Sequence, residues 1–237
     1  MAKTVEFDEQ TIVIDERREL VVGELMRNVY VWMTGGMALT GVLAWVVANS
    51  PNLLMFIFGH QTVFWGIVIV EVVLVLILSA LIEKMRFITA AIMFVLYCSL
   101  NGLMLSSLFV VYEIGSITQV FFICAGMFAA LAFAGTVTKK DLSGWRTFLL
   151  MALVGLIIAS IISIVLGRPE SMIISAIGVL IFAGLTVYDA QKVKLMMLNE
   201  NTINEGNMKL ALLGALTLYL DFINLLIKLL SLFGKKK

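Results

Sequence analysis

Leu216-Thr217-Leu218-Tyr219-Leu220-Asp221-Phe222-Ile223-Asn224 lies inside an apolar run, about Leu210–Phe233, that stops before Lys235, Lys236 and Lys237. A run of that length crosses a bilayer core as a helix. The aspartate within it is out of place, because a carboxylate in a span is expensive unless it is paired, protonated or hydrated. The preceding run, about Ser171–Val193, closes on Gly184-Leu185-Thr186-Val187-Tyr188-Asp189-Ala190-Gln191 and repeats the feature. Two carboxylates on sequential spans, each with a tyrosine within the two residues before it, mark a candidate site.

Further apolar runs precede this pair. Of the 237 residues, 61% are hydrophobic and 14% charged, more apolar surface than a soluble domain can hide. The spans are expected at about Asn28–Asn49, Gln61–Ile82, Phe87–Tyr112, Ile117–Thr138 and Arg146–Leu166, followed by the two above. The runs are continuous, not alternating, so of the two architectures that satisfy the backbone in lipid they select helices over a barrel. The fold class is all-α: a polytopic integral membrane protein with seven transmembrane helices. Residues 1–27, with Asp8, Glu9, Asp15, Glu16, Arg17 and Arg18, read as a polar N-terminal tail, and 28–237 as the membrane domain. Asn49-Ser50-Pro51-Asn52 and Gly167-Arg168-Pro169 read as breaks. Gly155, Ala159 and Ser163 form a stripe suited to close helix packing.

Charge sets the orientation. Lys3, Arg17, Arg18 and Arg27 precede the first span. Alternate loops then carry Lys84 with Arg86, Lys139 with Lys140 and Arg146, and Lys192 with Lys194 and Lys209, whereas Arg168 is the cation of the other loops. Lys and Arg mark cytoplasmic loops, so the N-terminus is expected in the cytoplasm. Seven full spans then leave Lys235–Lys237 outside, against the rule, with a re-entrant last segment as the alternative. A net charge of +1 argues against nucleic acid as a partner. Cys98 and Cys124 fall in apolar runs, and His60 in a loop, so no metal or cofactor motif appears.

Sequential helices joined by a short loop tend to pack together, so Asp189 and Asp221 can meet. Two carboxylates in contact cannot easily both be ionised, and a shared proton would hold their helices together. Loss of that proton leaves two repelling carboxylates, a hard-oxygen site for Ca²⁺. Thr217 and Asn224 share the face of Asp221. With Asn101 of the third span they are candidates for lining a path, helix packing being the equal alternative. Glu71, midway along the second span, and Lys228, near the outer end of the seventh, are candidates for an outer latch. Glu113 reads as a solvated residue at the outer end of the third span.

Four stretches carry a resemblance: Val187-Tyr188-Asp189-Ala190-Gln191, Leu216–Leu225, Asn101-Gly102-Leu103 with Leu105-Ser106-Ser107, and Lys139-Lys140-Asp141-Leu142-Ser143. In order and spacing they resemble the transmembrane Bax inhibitor motif (Bax inhibitor-1) family, bacterial inner-membrane members above all. The resemblance implies a last helix surrounded by the other six. It implies a pH-sensitive calcium leak in which Asp189 and Asp221 share a proton, with Ca²⁺ as the ion bound or passed. It also implies a basic residue at the end of the second span that locks the closed form: Arg86 or Lys84, Arg86 favoured because its fork can hold Asp189 bidentately. Two other readings compete. One is a regulator without transport that binds other membrane proteins, such as a quality-control protease. The other is an intramembrane aspartyl protease, disfavoured because Leu218-Tyr219-Leu220 stands where such enzymes have small residues before the second aspartate. The expectation is therefore a protein of the bilayer with Ca²⁺ and protons as its small partners, and not an enzyme.

Overall fold

A computed structural model describes the backbone of residues 2–167, 171–198, 200 and 202–237, and the side chains among these from Arg18 onward except at residue 164. Arg168 and Pro169, and the side chains of Lys3, Asp8, Glu9, Asp15, Glu16 and Arg17, lie outside the described residues. The helices are α1 (Ala2–Ala48), α2 (Pro51–Gly59), α3 (Gln61–Leu81), α4 (Phe87–Val111), α5 (Ile114–Val137), α6 (Trp145–Val165), α7 (Met172–Leu198) and α8 (Glu205–Phe233). A single 3₁₀ turn, Ile82–Lys84, follows α3. Among the described residues, all of these α-helices except α2 are long and apolar enough to cross a membrane, seven in number. The chain is an all-α integral membrane protein.

Its centre is α8. In the apolar window of α8 67% of residues are buried, against 11% in α6 and 17% in α3. It packs on α7, α1, α5 and α4. Burial elsewhere is low because the outer faces are apolar and meet lipid: Trp65, Ile69, Leu76, Phe122 and Val154 are all exposed. Close packing between helices comes from small residues, as expected where no hydrophobic drive separates protein from lipid. A Cβ on Gly102 of α4 would lie 2.8 Å from the Thr40 carbonyl of α1, so these helices approach backbone to backbone.

Several expectations change. The helix of the first span continues unbroken back to Ala2, so residues 2–27 extend it. The Ser50–Gln61 connection is not a simple loop: Pro51 stands at the first turn of α2, where its missing N–H costs nothing. The stripe on α6 does not make a helix contact at Gly155, where an added Cβ would meet nothing within 4 Å. Among the described α6 side chains the buried ones are Leu149 and Leu156, a face that Ser163 of the stripe shares. The last helix is not re-entrant. Beyond its end, Lys235 O accepts from Glu113 N (3.0 Å), Lys237 N donates to Val111 O (3.0 Å), and Lys235 Nζ pairs with Glu113 at 3.1 Å. These bonds pin the C-terminus to the turn between α4 and α5. At the opposite end, Arg18 Nε of α1 donates to Leu198 O of α7 (3.0 Å). Glu113 is thus an ion-pair partner and not simply solvated.

Candidate functional site

The site is the seam where α7 and α8 run antiparallel. Three contacts set its register. Ser175 and Ser231 hydroxyls bond at 2.7 Å. The Lys228 stem lies over Gly178, 2.9 Å from where a Cβ would stand, and Val193 lies over Gly214 at 2.8 Å in the same sense. On this register Asp221 stands level with Leu185 and Thr186, and Asp189 with Thr217 and Leu218. The two carboxylates are therefore offset by about one helical turn, ~6 Å along the axis, on facing sides of one seam. Gly214, Asp221 and Lys228 recur at the seven-residue interval that returns to the same face of a helix.

Asp221 is 6% exposed, and its Oδ2 is buried without a hydrogen-bond partner. Asp189 is half-buried. The two charges act on each other, and Lys192, one turn beyond Asp189 on the same helix, acts on both. The seam near Asp189 is closed from the side by α5. A Cβ on Gly135 would collide with the Val187 carbonyl and stand 3.1 Å from Ala190 Cβ, so only glycine lets α5 this close.

Sequence reasoning missed the part played by Gln191. Its Oε1 accepts from Leu142 N (3.0 Å), and its Nε2 donates to Lys140 O (2.7 Å) and, more weakly, Thr138 O (3.4 Å). It thereby ties the helix of Asp189 to the connection between α5 and α6. Two of the stretches that carried the resemblance meet in this contact. In that connection Asp141 accepts from Ser143 N and Ser143 Oγ, both at 2.8 Å, which holds its carboxyl below the ordinary carboxylate value. A glutamine two residues after an intramembrane aspartate was the available signal.

The other candidates fall apart from the pair. No ion pair joins Asp189 or Asp221 to Arg86 or Lys84 among the described residues. The turn that carries Lys84 is instead strapped to the start of α8: Lys209 Nζ donates to Glu83 O and Met85 O, both 2.9 Å, and Glu205 Oε1 accepts from Phe87 N at 2.8 Å. The cation beside Asp189 is Lys192. Nor does the structure bring Glu71 to Lys228. Tyr219 faces α1 and α4, where its hydroxyl bonds Thr40 Oγ1 at 2.7 Å and its ring meets Phe94 and Tyr97 edge-on. Lys228 is nine residues on, half a rotation round the helix, and faces α7. Glu71 has Asn101 and Tyr97 as neighbours, and Glu71 Oε1 and Asn101 Oδ1 are both buried without a partner. Thr217 and Asn224 back-bond to their own helix, to Leu213 O (3.0 Å) and Leu220 O (2.8 Å). The described residues hold no cluster of three or more metal-ligating side chains, so a cation on the seam would have two carboxylates and otherwise neutral oxygens.

Residues 22–237 match the family model described as inhibitor of apoptosis-promoting Bax1. The chain belongs to the Bax inhibitor family. It is 43% identical to the inner membrane protein YbhL of Escherichia coli over 215 residues, 90% of this chain and 92% of that one. It is 36% identical to an uncharacterised protein of Rickettsia prowazekii (90% and 89% covered) and 34% identical to one of Borreliella burgdorferi (94% and 97%). The family match covers both aspartates and the Gln191 contact.

Proposed function

We propose that this member of the family is a pH-sensitive calcium (cation) leak channel of a bacterial inner membrane, gated by a proton shared between Asp189 and Asp221. The observation that carries the reading is Asp221 Oδ2: a buried carboxylate oxygen without a partner, one turn from a second carboxylate across a helix seam. A proton between the two groups supplies the missing hydrogen bond and leaves a single negative charge. Its loss adds repulsion across the seam, favouring separation of α7 from α8 or capture of a hard cation. Asp189 and Asp221 would then be the ion's protein ligands, with hydroxyls, carbonyls and water completing the shell of six to eight oxygens usual for Ca²⁺. Full protonation removes the attraction for the nearby lysine. The two directions of titration act on different contacts, so leak should vary continuously with pH.

The charge pattern supports a cytoplasmic N-terminus, and the YbhL name supports the inner membrane. A cysteine placed at Lys139 should react only with reagent supplied from the cytoplasmic side. Arg86 and Lys84 remain proposed closing residues for a state in which the end of α3 moves toward Asp189. The decisive experiment is Ca²⁺ flux into proteoliposomes across pH, comparing the parent with Asp189→Asn and Asp221→Asn. Parent-like pH dependence in the double variant would remove the pair as sensor. Absence of flux at every pH would remove the channel reading itself and leave the regulator that binds other membrane proteins.

A further inference from the structure

A slot of about 1090 Å³ runs along the side of the bundle between α1 and α5. Val22, Met26, Met33 and Met37 line it from α1, Ala125, Phe128, Ala129 and Ala132 from α5, and Phe222 of α8 forms part of its floor. From Val22 to Met37 the slot covers about 22 Å at helical rise, most of the ~30 Å hydrocarbon core. Tyr30 and Thr34 place two hydroxyls along it. Charge is confined to one mouth, where Arg18, Glu19 and Lys194 stand beside Thr136. Lys194 Nζ there donates to Thr136 O (2.7 Å) and Arg18 Nε to Leu198 O (3.0 Å). Both partners are neutral carbonyls, and an ammonium has three donors and a guanidinium five, so each cation keeps donors for an anion. Among the described lining residues two cations stand against one carboxylate.

An apolar trough with cations at one end has the charge pattern of a phospholipid. We propose that the slot binds one phospholipid with an anionic headgroup, its phosphate between Arg18 and Lys194 and an acyl chain along Met26, Met33 and Phe128 to Phe222. Arg18 and Lys194 stand on the face that the charge pattern assigns to the cytoplasm, whose leaflet attracts basic residues through its anionic lipids. The chain's resting place, Phe222, directly follows Asp221. Occupancy would thus bear on the proposed gate, a consequence that rests on the channel reading, whereas binding does not.

Native mass spectrometry of the delipidated full-length protein, given equal amounts of phosphatidylglycerol and phosphatidylcholine, tests the proposal. We expect one phosphatidylglycerol retained per chain, with about tenfold preference, the size of one charge-assisted contact. Arg18→Gln with Lys194→Gln should bring the two lipids to near parity while the melting temperature stays put. Ala129→Trp, which fills the slot, should remove both lipids. Parent protein that holds both lipids equally, or a double variant that keeps the preference, would overturn the site. Inorganic phosphate that stabilises the protein as much as phosphatidylglycerol would reduce it to an anion site, and a dimer dispersed by Ala129→Trp would give the slot to a second copy. Should the tryptophan variant fail to fold, the charge variant still decides. Retention is read without flux, so its failure and the failure of the channel reading are separate results.

Discussion

Among the described residues, two places inside the bundle bury a carboxylate oxygen without a partner, and they are wired differently. On the α7–α8 seam, Asp221 faces a second carboxylate and a lysine that acts on both. Between α3 and α4, Glu71 has the amide of Asn101 and the phenol of Tyr97 for company. A buried carboxyl among neutral groups can resolve its cost by keeping its proton. A carboxyl beside another carboxylate and a cation has more than one charge state of similar cost, and its protons come off in steps that belong to the pair. On the proposed reading the seam pair responds to pH as a unit, whereas Glu71 stands apart from it. The difference lies in neighbours, not in depth.

The contrast breaks most severely if the seam is forced open. Gly135→Leu should drive α5 off Val187 and Ala190, and overpacking of this kind costs about 1–3 kcal/mol or more. A fall in melting temperature and in yield of folded protein is expected. An unchanged melting temperature would show that α5 does not close the seam.

Removing the charge without changing shape comes next. One pH unit through a titrating group is worth about 1.4 kcal/mol, or a factor of about ten. Asp189→Asn with Asp221→Asn should flatten the pH profile of Ca²⁺ flux to within about twofold, whereas Glu71→Gln should leave the slope of the parent. Equal flattening by Glu71→Gln would erase the distinction between the two sites.

Lys192→Gln sharpens the comparison from the cation side. It should shift the pH profile of flux by less than a unit without abolishing it, in keeping with an exposed charge that solvent screens. A larger effect of Arg86→Gln or Lys84→Gln would move the counter-charge to the end of α3.

The smallest effect is expected at the exposed Asp141. Its carboxyl lies below its ordinary value of 3.8 because Ser143 donates to the ionised form. The loop order it provides is therefore present at neutral pH and is lost as pH falls through that lowered value. Protection of the Ser143 amide, measured against an unprotected amide at the same pH, should fall only in that acid range, and Asp141→Ala should lower it at every pH. Neither change should alter flux.

Much of this was legible without the fold. Each span satisfies its own backbone in lipid, so length and hydropathy alone mark it, and Asp189 and Asp221 stand out as polar residues inside such runs. Pro51 was legible as part of the break after the first span, which ends at Ala48, but not as the start of a short helix of its own. Other features rest on rotation and on distant partners. Glu71 and Lys228 looked like a pair because both are charged and a lysine stem near the outer end can reach inward, yet reach says nothing about which way a helix is turned.

By itself the sequence determined the number of spans, their class and the two carboxylates, because these depend on local composition against a solvent of known thickness. An enclosed α8 and a meeting of Asp189 with Asp221 were already expected; the tertiary structure alone decided that the two carboxylates stand about a turn apart on their seam and that Lys228 faces α7. It alone tied Gln191 to the α5–α6 connection and the C-terminus to the α4–α5 turn. Those outcomes follow from packing between helices, where small residues such as Gly135 and Gly178 set who can approach whom. A helix that is apolar on every face carries no mark of which face its neighbours will choose.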